Sequence, residues 1–70
     1  MINTFAERVV GLLQEKGITK YKLAADTGIS KSVLSDYCNA KVQPTADVII
    51  TVAKYFDVSA DYLLGLTNDY

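Results

Sequence analysis

The sequence predicts an all-α fold, a compact arrangement of five short helices. Three observations predict it. Five segments in turn begin at a Ser, Thr or Asn and continue with apolar residues at helical spacing. One Pro and four Gly in 70 residues leave little chain for long loops. The stretch Thr19 to Tyr37, TKYKLAADTGISKSVLSDY, divides into two short helical patterns about Gly28.

The first helix is expected over residues 4–15, with Thr4 or Asn3 as its cap. Phe5, Val9, Leu12 and Leu13 fall on one face at i, i+4, i+7 and i+8. Lys16 and Gly17 end it, a cation in the last turn followed by a C-terminal glycine. Ile18 then packs ahead of the next cap.

Thr19 caps the second helix, which carries Leu23 and Ala24 inward, and Gly28 supplies the positive φ of the turn. Ser30 caps the third helix. Val33, Leu34 and Tyr37 point inward, while Lys31, Ser32, Ser35, Asp36 and Asn39 share the other side. Two short helices crossing over a Gly turn make a helix-turn-helix shape. The outer face of the third helix has short polar side chains and one Lys, so nothing bulky keeps it from a groove. An ordinary solvated face of a surface helix has the same pattern.

Residues 40–45, AKVQPT, form a loop in which Lys41 and backbone amides can meet a phosphate. Thr45 caps a fourth helix running to about Phe56, with Asp47 in its first turn. It is apolar nearly all round and is expected to be the central buried helix. Its β-branched residues also suit a strand; the cap and a length of about 11 residues favour helix. Ser59 caps a short fifth helix, ADYLL, ended by Gly65 and followed by a tail from Leu66 to Tyr70.

Composition narrows the function. Hydrophobic residues make up 50% and charged residues 21%, too apolar for a disordered chain. There is no His and one Cys, so His-based acid–base catalysis and an internal disulfide are excluded and a zinc site has almost no ligands. Neither paired carboxylates at useful spacing nor a Gly-rich phosphate loop is present. A non-enzymatic protein without cofactor or metal is expected. The start lacks a signal peptide's basic run and apolar segment. The longest apolar run is three residues against the roughly 20 of a membrane helix. A soluble, cytoplasmic protein with no membrane partner follows as the expectation.

The net charge is −1, and its distribution says more than its total. Residues 16–43 hold five Lys against two Asp, +3; residues 1–15 hold one Arg against two Glu, −1; residues 44–70 hold one Lys against four Asp, −3. A protein meeting phosphates with one face has this layout, and so does a surface with a chance imbalance.

With five helices at this spacing, the sequence resembles the lambda-repressor/Cro-type helix-turn-helix family of bacterial and phage transcription regulators. The matching pieces are GITKYKLAADTGIS, KSVLSDYCNAKVQPT and VAKYFDVSADYLLGL, covering about residues 5–66. The resemblance implies one domain over residues 1–70, with the third helix, about residues 31–39, in the DNA major groove. It places Lys31, Ser32, Ser35 and Asp36 at base-reading positions. Lys31 can donate to guanine O6 and N7, and Asp36 can accept from a cytosine amine. Lys20 stands where the family often has Gln on a phosphate, and Asn39 and Lys41 fall where the backbone is gripped. Asp36 is equally a solvated carboxylate that repels phosphate. Ser30 is read as a cap, Tyr21 and Tyr37 as packing residues with a bonded hydroxyl, and Cys38 as a half-buried filler.

The sequence departs from the family pattern in places. Ala40 stands where the family commonly has Gly; a positive φ there costs Ala about 1 kcal/mol. Thr27 and Cys38 replace a common apolar and a common acidic residue.

The expected function is a DNA-binding regulator, a repressor on double-stranded DNA. One domain offers about 600–1,000 Å² of interface, little for a specific site. A homodimer is therefore expected, meeting through Tyr62, Leu63, Leu66 and Tyr70. The alternative for Leu63 and Leu66 is closing the monomer's core. The rival function is a protein-interaction module of the same fold, an antitoxin or adaptor whose acidic third meets a protein partner.

Overall fold

The computed structural model describes residues 3–70, and among them there is no strand. Five helices follow in order: α1 Asn3–Lys16, α2 Lys20–Thr27, α3 Lys31–Cys38, α4 Ala46–Phe56 and α5 Ala60–Leu64. Thr4 lies inside α1, so the cap position of that helix falls outside the described residues.

The other four starts follow one chemical rule. Thr19, Ser30, Thr45 and Ser59 accept from the backbone N–H three residues on, at 3.2, 3.2, 3.3 and 3.0 Å. Each satisfies one of the donors that a helix start leaves without a partner.

The ends follow a second rule. At the end of α1, Gly17 N–H donates to the Gln14 carbonyl and Ile18 N–H to that of Leu13. This paired closure needs a left-handed residue. The same closure ends α3, α4 and α5, with Ala40, Asp57 and Gly65 in the left-handed position. Ala40 and Asp57, both at φ 57°, are the non-glycine cases. Asp tolerates this region better than Ala does. The departure from glycine at Ala40 thus keeps the loop geometry and leaves the strain.

Gly65 is constrained from outside as well. A Cβ there would lie 2.7 Å from Thr4 Cγ2. The end of α5 is therefore pressed against the start of α1.

The core is built on α1, which packs against α3 and α5; α2 packs against α3 and α4, and α4 against α5. Phe5, Val9 and Leu12 of α1 are buried with Leu23, Leu34, Val52 and Leu63. The Tyr37 ring meets Phe5 edge-on at 6.2 Å between centroids, a favoured aromatic geometry.

Three expectations need correction here. The fourth helix is not the central buried one: Val52, Ala53 and Phe56 are buried, but Ile50 is 49% exposed. Its apolar circumference exceeds the surface its neighbours cover. Val33 does not point inward and is 42% exposed. It stands about 100° around α3 from Leu34, at the edge of the packed sector. Leu63 is fully buried and closes the core, so it offers no side chain to a second protomer.

The tail folds back. Ser59 N–H donates to the Tyr70 carbonyl at 2.6 Å, and the Tyr70 hydroxyl donates to the Glu15 carboxylate. Arg8 lies 4.2 Å over the Tyr62 ring and donates to Asn68 at 3.1 Å. Tyr70 and Tyr62 meet edge-on, 4.8 Å between centroids. α1, α5 and the tail are thus joined on one side.

Candidate nucleic-acid interface

Lys20 opens α2, and Lys31 and Ser32 open α3. The turn at Gly28, φ 79°, reverses the chain between them, with its N–H bonded to the Ala24 carbonyl at 2.9 Å. Thr27 prepares this turn: its hydroxyl donates to the Leu23 carbonyl at 2.7 Å and accepts from Ile29 N–H. The polar residue at 27 is therefore satisfied locally.

The result is a shallow open concavity of about 370 Å³ between α2 and α3, lined by Lys20, Tyr21, Lys31, Ser32, Ser35 and Asp36. The four residues assigned to base reading and one of the three assigned to phosphate lie around this one depression. Lys31 and Ser32 are exposed; Ser35 and Asp36 are half-buried. Among the described residues no cation lies within ion-pair distance of Asp36. The depression therefore offers ammonium donors, hydroxyls and one carboxylate acceptor.

Asn39 and Lys41 lie apart from it. Asn39 caps the end of α3, and its amide donates to Ser35 Oγ at 3.4 Å. Lys41 is exposed, its N–H bonded to the Asp36 carbonyl at 2.9 Å. Asn39 instead borders a second hollow with Cys38 and Ala40, facing Ala6, Glu7, Val10, Gly11 and Gln14 of α1. Cys38 is half-buried; burial pushes its thiol pKa up, against the pull of the Lys20 ammonium. A thiol held protonated is a weak nucleophile.

Of the remaining basic residues, Lys22 is occupied, lying 3.2 Å from Asp26 in an i,i+4 pair. Asp26 also accepts from the Tyr55 hydroxyl of α4 at 2.6 Å. The Tyr55 bond, and then the Lys22 bond, hold the Asp26 carboxyl below its usual range. The basic third of the chain therefore presents Lys20, Lys31 and Lys41, with Lys22 paired to Asp26 and Lys16 lying 3.9 Å from Glu15.

Tyr21 corrects another expectation. It is not a packing residue: it is 59% exposed, and the Lys31 ammonium lies 5.3 Å from its ring centroid. The signal was present in the helical wheel, since Tyr21 stands about 160° around α2 from Leu23, the residue that defines the buried side. Tyr37, by contrast, is buried.

The proposed dimer surface is reduced. Without Leu63 it keeps Leu66 and Tyr70, 74% and 52% exposed, and half-buried Tyr62.

Among the described residues no helix is long and apolar enough to cross a membrane. No solved structure matches the chain significantly. The chain is 35% identical over 65 residues to an uncharacterized helix-turn-helix-type transcriptional regulator, YobD, of Bacillus subtilis. That match covers 93% of this chain and 58% of the relative, so the chain spans little more than half the length of that protein. The helix-turn-helix family model matches residues 12–63, from the second half of α1 to the buried Leu63 of α5. With the two-helix unit and the caps and turn that shape it inside that match, the chain belongs to the Cro/C1-type helix-turn-helix family.

Proposed function

We propose that this chain is a sequence-specific DNA-binding transcriptional regulator, and that it represses by occupying its site. The observation that carries this reading is the concavity that gathers Lys20, Lys31, Ser32, Ser35 and Asp36 at the start of the two-helix unit. In this reading α3 enters the major groove, and its early residues meet base edges. Lys31 donates to a guanine, and Asp36 accepts from a cytosine amine. Lys20, Asn39 and Lys41 hold phosphates and set the register. The relative's name, a transcriptional regulator, supports the same class.

One domain has little area for a specific site, so the working form is a homodimer on an inverted repeat with half-sites about 34 Å apart. Leu66, Tyr70 and Tyr62 are its contact residues. Residues 1–70 act as one such domain, in the compartment that holds the DNA.

A second reading has its own observation. Asp36 lies half-buried in the concavity without a cation among the described residues, which disfavours phosphate nearby. The acidic third, with exposed Leu66 and Tyr70, then serves a protein partner, and DNA is secondary.

Fluorescence anisotropy with the DNA upstream of its own gene separates the two, titrated at two salt concentrations against random competitor. Competitor-resistant binding that falls steeply with salt supports the regulator, because phosphate contacts release counterions. Weak binding with a shallow salt slope supports the protein partner.

A further inference from the structure

Tyr21 has no part in the core, and Lys31 has no carboxylate within ion-pair distance among the described residues. The two side chains meet each other instead, ammonium to ring centroid 5.3 Å, across the concavity between α2 and α3. Among the described residues no ring lies under Lys20, Lys22 or Lys41. The one cation assigned to a base edge is thus also the one on this face that an aromatic ring holds.

We propose that Tyr21 is a positioning residue that aims Lys31 at base edges and keeps it from the phosphates. The proposal rests on the reading of α3 as the groove-entering helix. A free lysine ammonium is a point charge on a flexible four-carbon stem. Near DNA its strongest attraction is to the phosphates, which carry no sequence information. The ring quadrupole holds the ammonium over one face. Its other donors stay available to guanine O6 and N7. Restricting the stem before binding also removes part of the ordering cost of the complex. The ring so makes a general cation into a discriminating one.

The test uses the full chain and a site obtained by selection from randomised duplexes. Binding is read by anisotropy on that site and on duplexes with each guanine pair replaced in turn, at several salt concentrations. Lys31→Ala identifies the pair that Lys31 reads. Tyr21→Leu is expected to lose discrimination at that pair by about two- to fivefold, with a salt slope steeper by up to about 1 as the freed ammonium turns to a phosphate. Tyr21→Phe, which keeps the ring, is expected to retain discrimination. In a Lys31→Ala background Tyr21→Leu is expected to add nothing. Thermal melting of each variant confirms the fold.

If Tyr21→Leu weakens all duplexes alike, or acts equally with Lys31 removed, Tyr21 is not the positioning residue. If Lys31→Ala changes discrimination but Tyr21→Leu does not, the groove reading stands and this proposal falls. If the selection yields no preferred sequence, the groove reading falls and takes the proposal with it.

Discussion

The Tyr55 hydroxyl of α4 donates to the Asp26 carboxylate of α2 at 2.6 Å, tying the first helix of the two-helix unit to a helix outside it. Asp26 meets Lys22 on its other side. The bond adds a surface tie to the packing of α2 on α4, and α2 is the wall of the concavity that carries Lys20 and Tyr21.

Tyr55→Phe removes this tie, and its effect depends on pH. The folded Asp26 pKa is lowered, chiefly by the Tyr55 bond, so its contribution is present above the unfolded value of 3.8 and is lost as pH falls through the folded one. The folded Tyr55 pKa is raised, chiefly by Asp26, so its contribution is full below the unfolded value of 10.0 and is lost as pH rises beyond it. Wild type is therefore expected to exceed the variant in stability between about pH 4 and pH 10, with the gap closing at both ends. Urea titrations across pH check this; a gap constant from pH 2 to 11 contradicts it.

Ala40→Gly is expected to stabilise the fold. Ala40 holds φ 57° to close α3. Glycine relieves that strain but has a more flexible unfolded chain, for a net gain of up to about 1 kcal/mol. In a domain of this size 1 kcal/mol moves Tm by roughly 4–8 °C. A melting curve with Tm unchanged or lower would falsify the account of this turn.

Leu63 and Leu66 are expected to separate folding from association. Leu63→Ala opens a cavity beneath α5 and costs about 2–5 kcal/mol by chemical denaturation. Leu66→Ser lies at the surface and leaves stability within about 0.5 kcal/mol. In sedimentation equilibrium it weakens the proposed dimer. A Leu66→Ser protein that associates as wild type does would remove the tail from the interface.

Lys31 and Lys41 are expected to differ in kind. Lys31→Ala costs about 1–3 kcal/mol at one base pair and relaxes preference there. Lys41→Ala weakens all sequences alike and lowers the salt slope by about 1. Measured isotherms at three salt concentrations distinguish the patterns, and a Lys41→Ala loss confined to one sequence would place that residue at a base.

Legibility in the sequence followed the range of the interaction. The caps at Thr19, Ser30, Thr45 and Ser59 are bonds between residues three apart, and they stand where the sequence puts them. The closure at Ala40 is equally local and could be read from the residue it replaces. Burial is not local. Val33 and Ile50 are apolar, yet both stay in solvent, because exposure depends on what packs beside them. Leu63 shows the converse, buried completely by α1 and α4. The Tyr55–Asp26 bond joins residues 29 positions apart, and no pattern in either helix announces it. Of the concavity, the α3 contribution was legible from spacing, while Tyr21 was hidden by the habit of reading a tyrosine as core.

The closure of α3 has one more consequence. Ser30 caps the start of this helix and Ala40 closes its end, and the helix itself is eight residues, Lys31–Cys38. That is about 12 Å of helix, shorter than an isolated helix can sustain in water. Leu34 and Tyr37 hold it only because α1 and α2 lie beneath. A synthetic peptide of residues 30–39 would carry every side chain proposed to read bases and adopt no helix. Its circular dichroism would be that of coil. An antagonist copied from this segment would need a covalent brace, because the chain presents the outer face of α3 only as a folded whole.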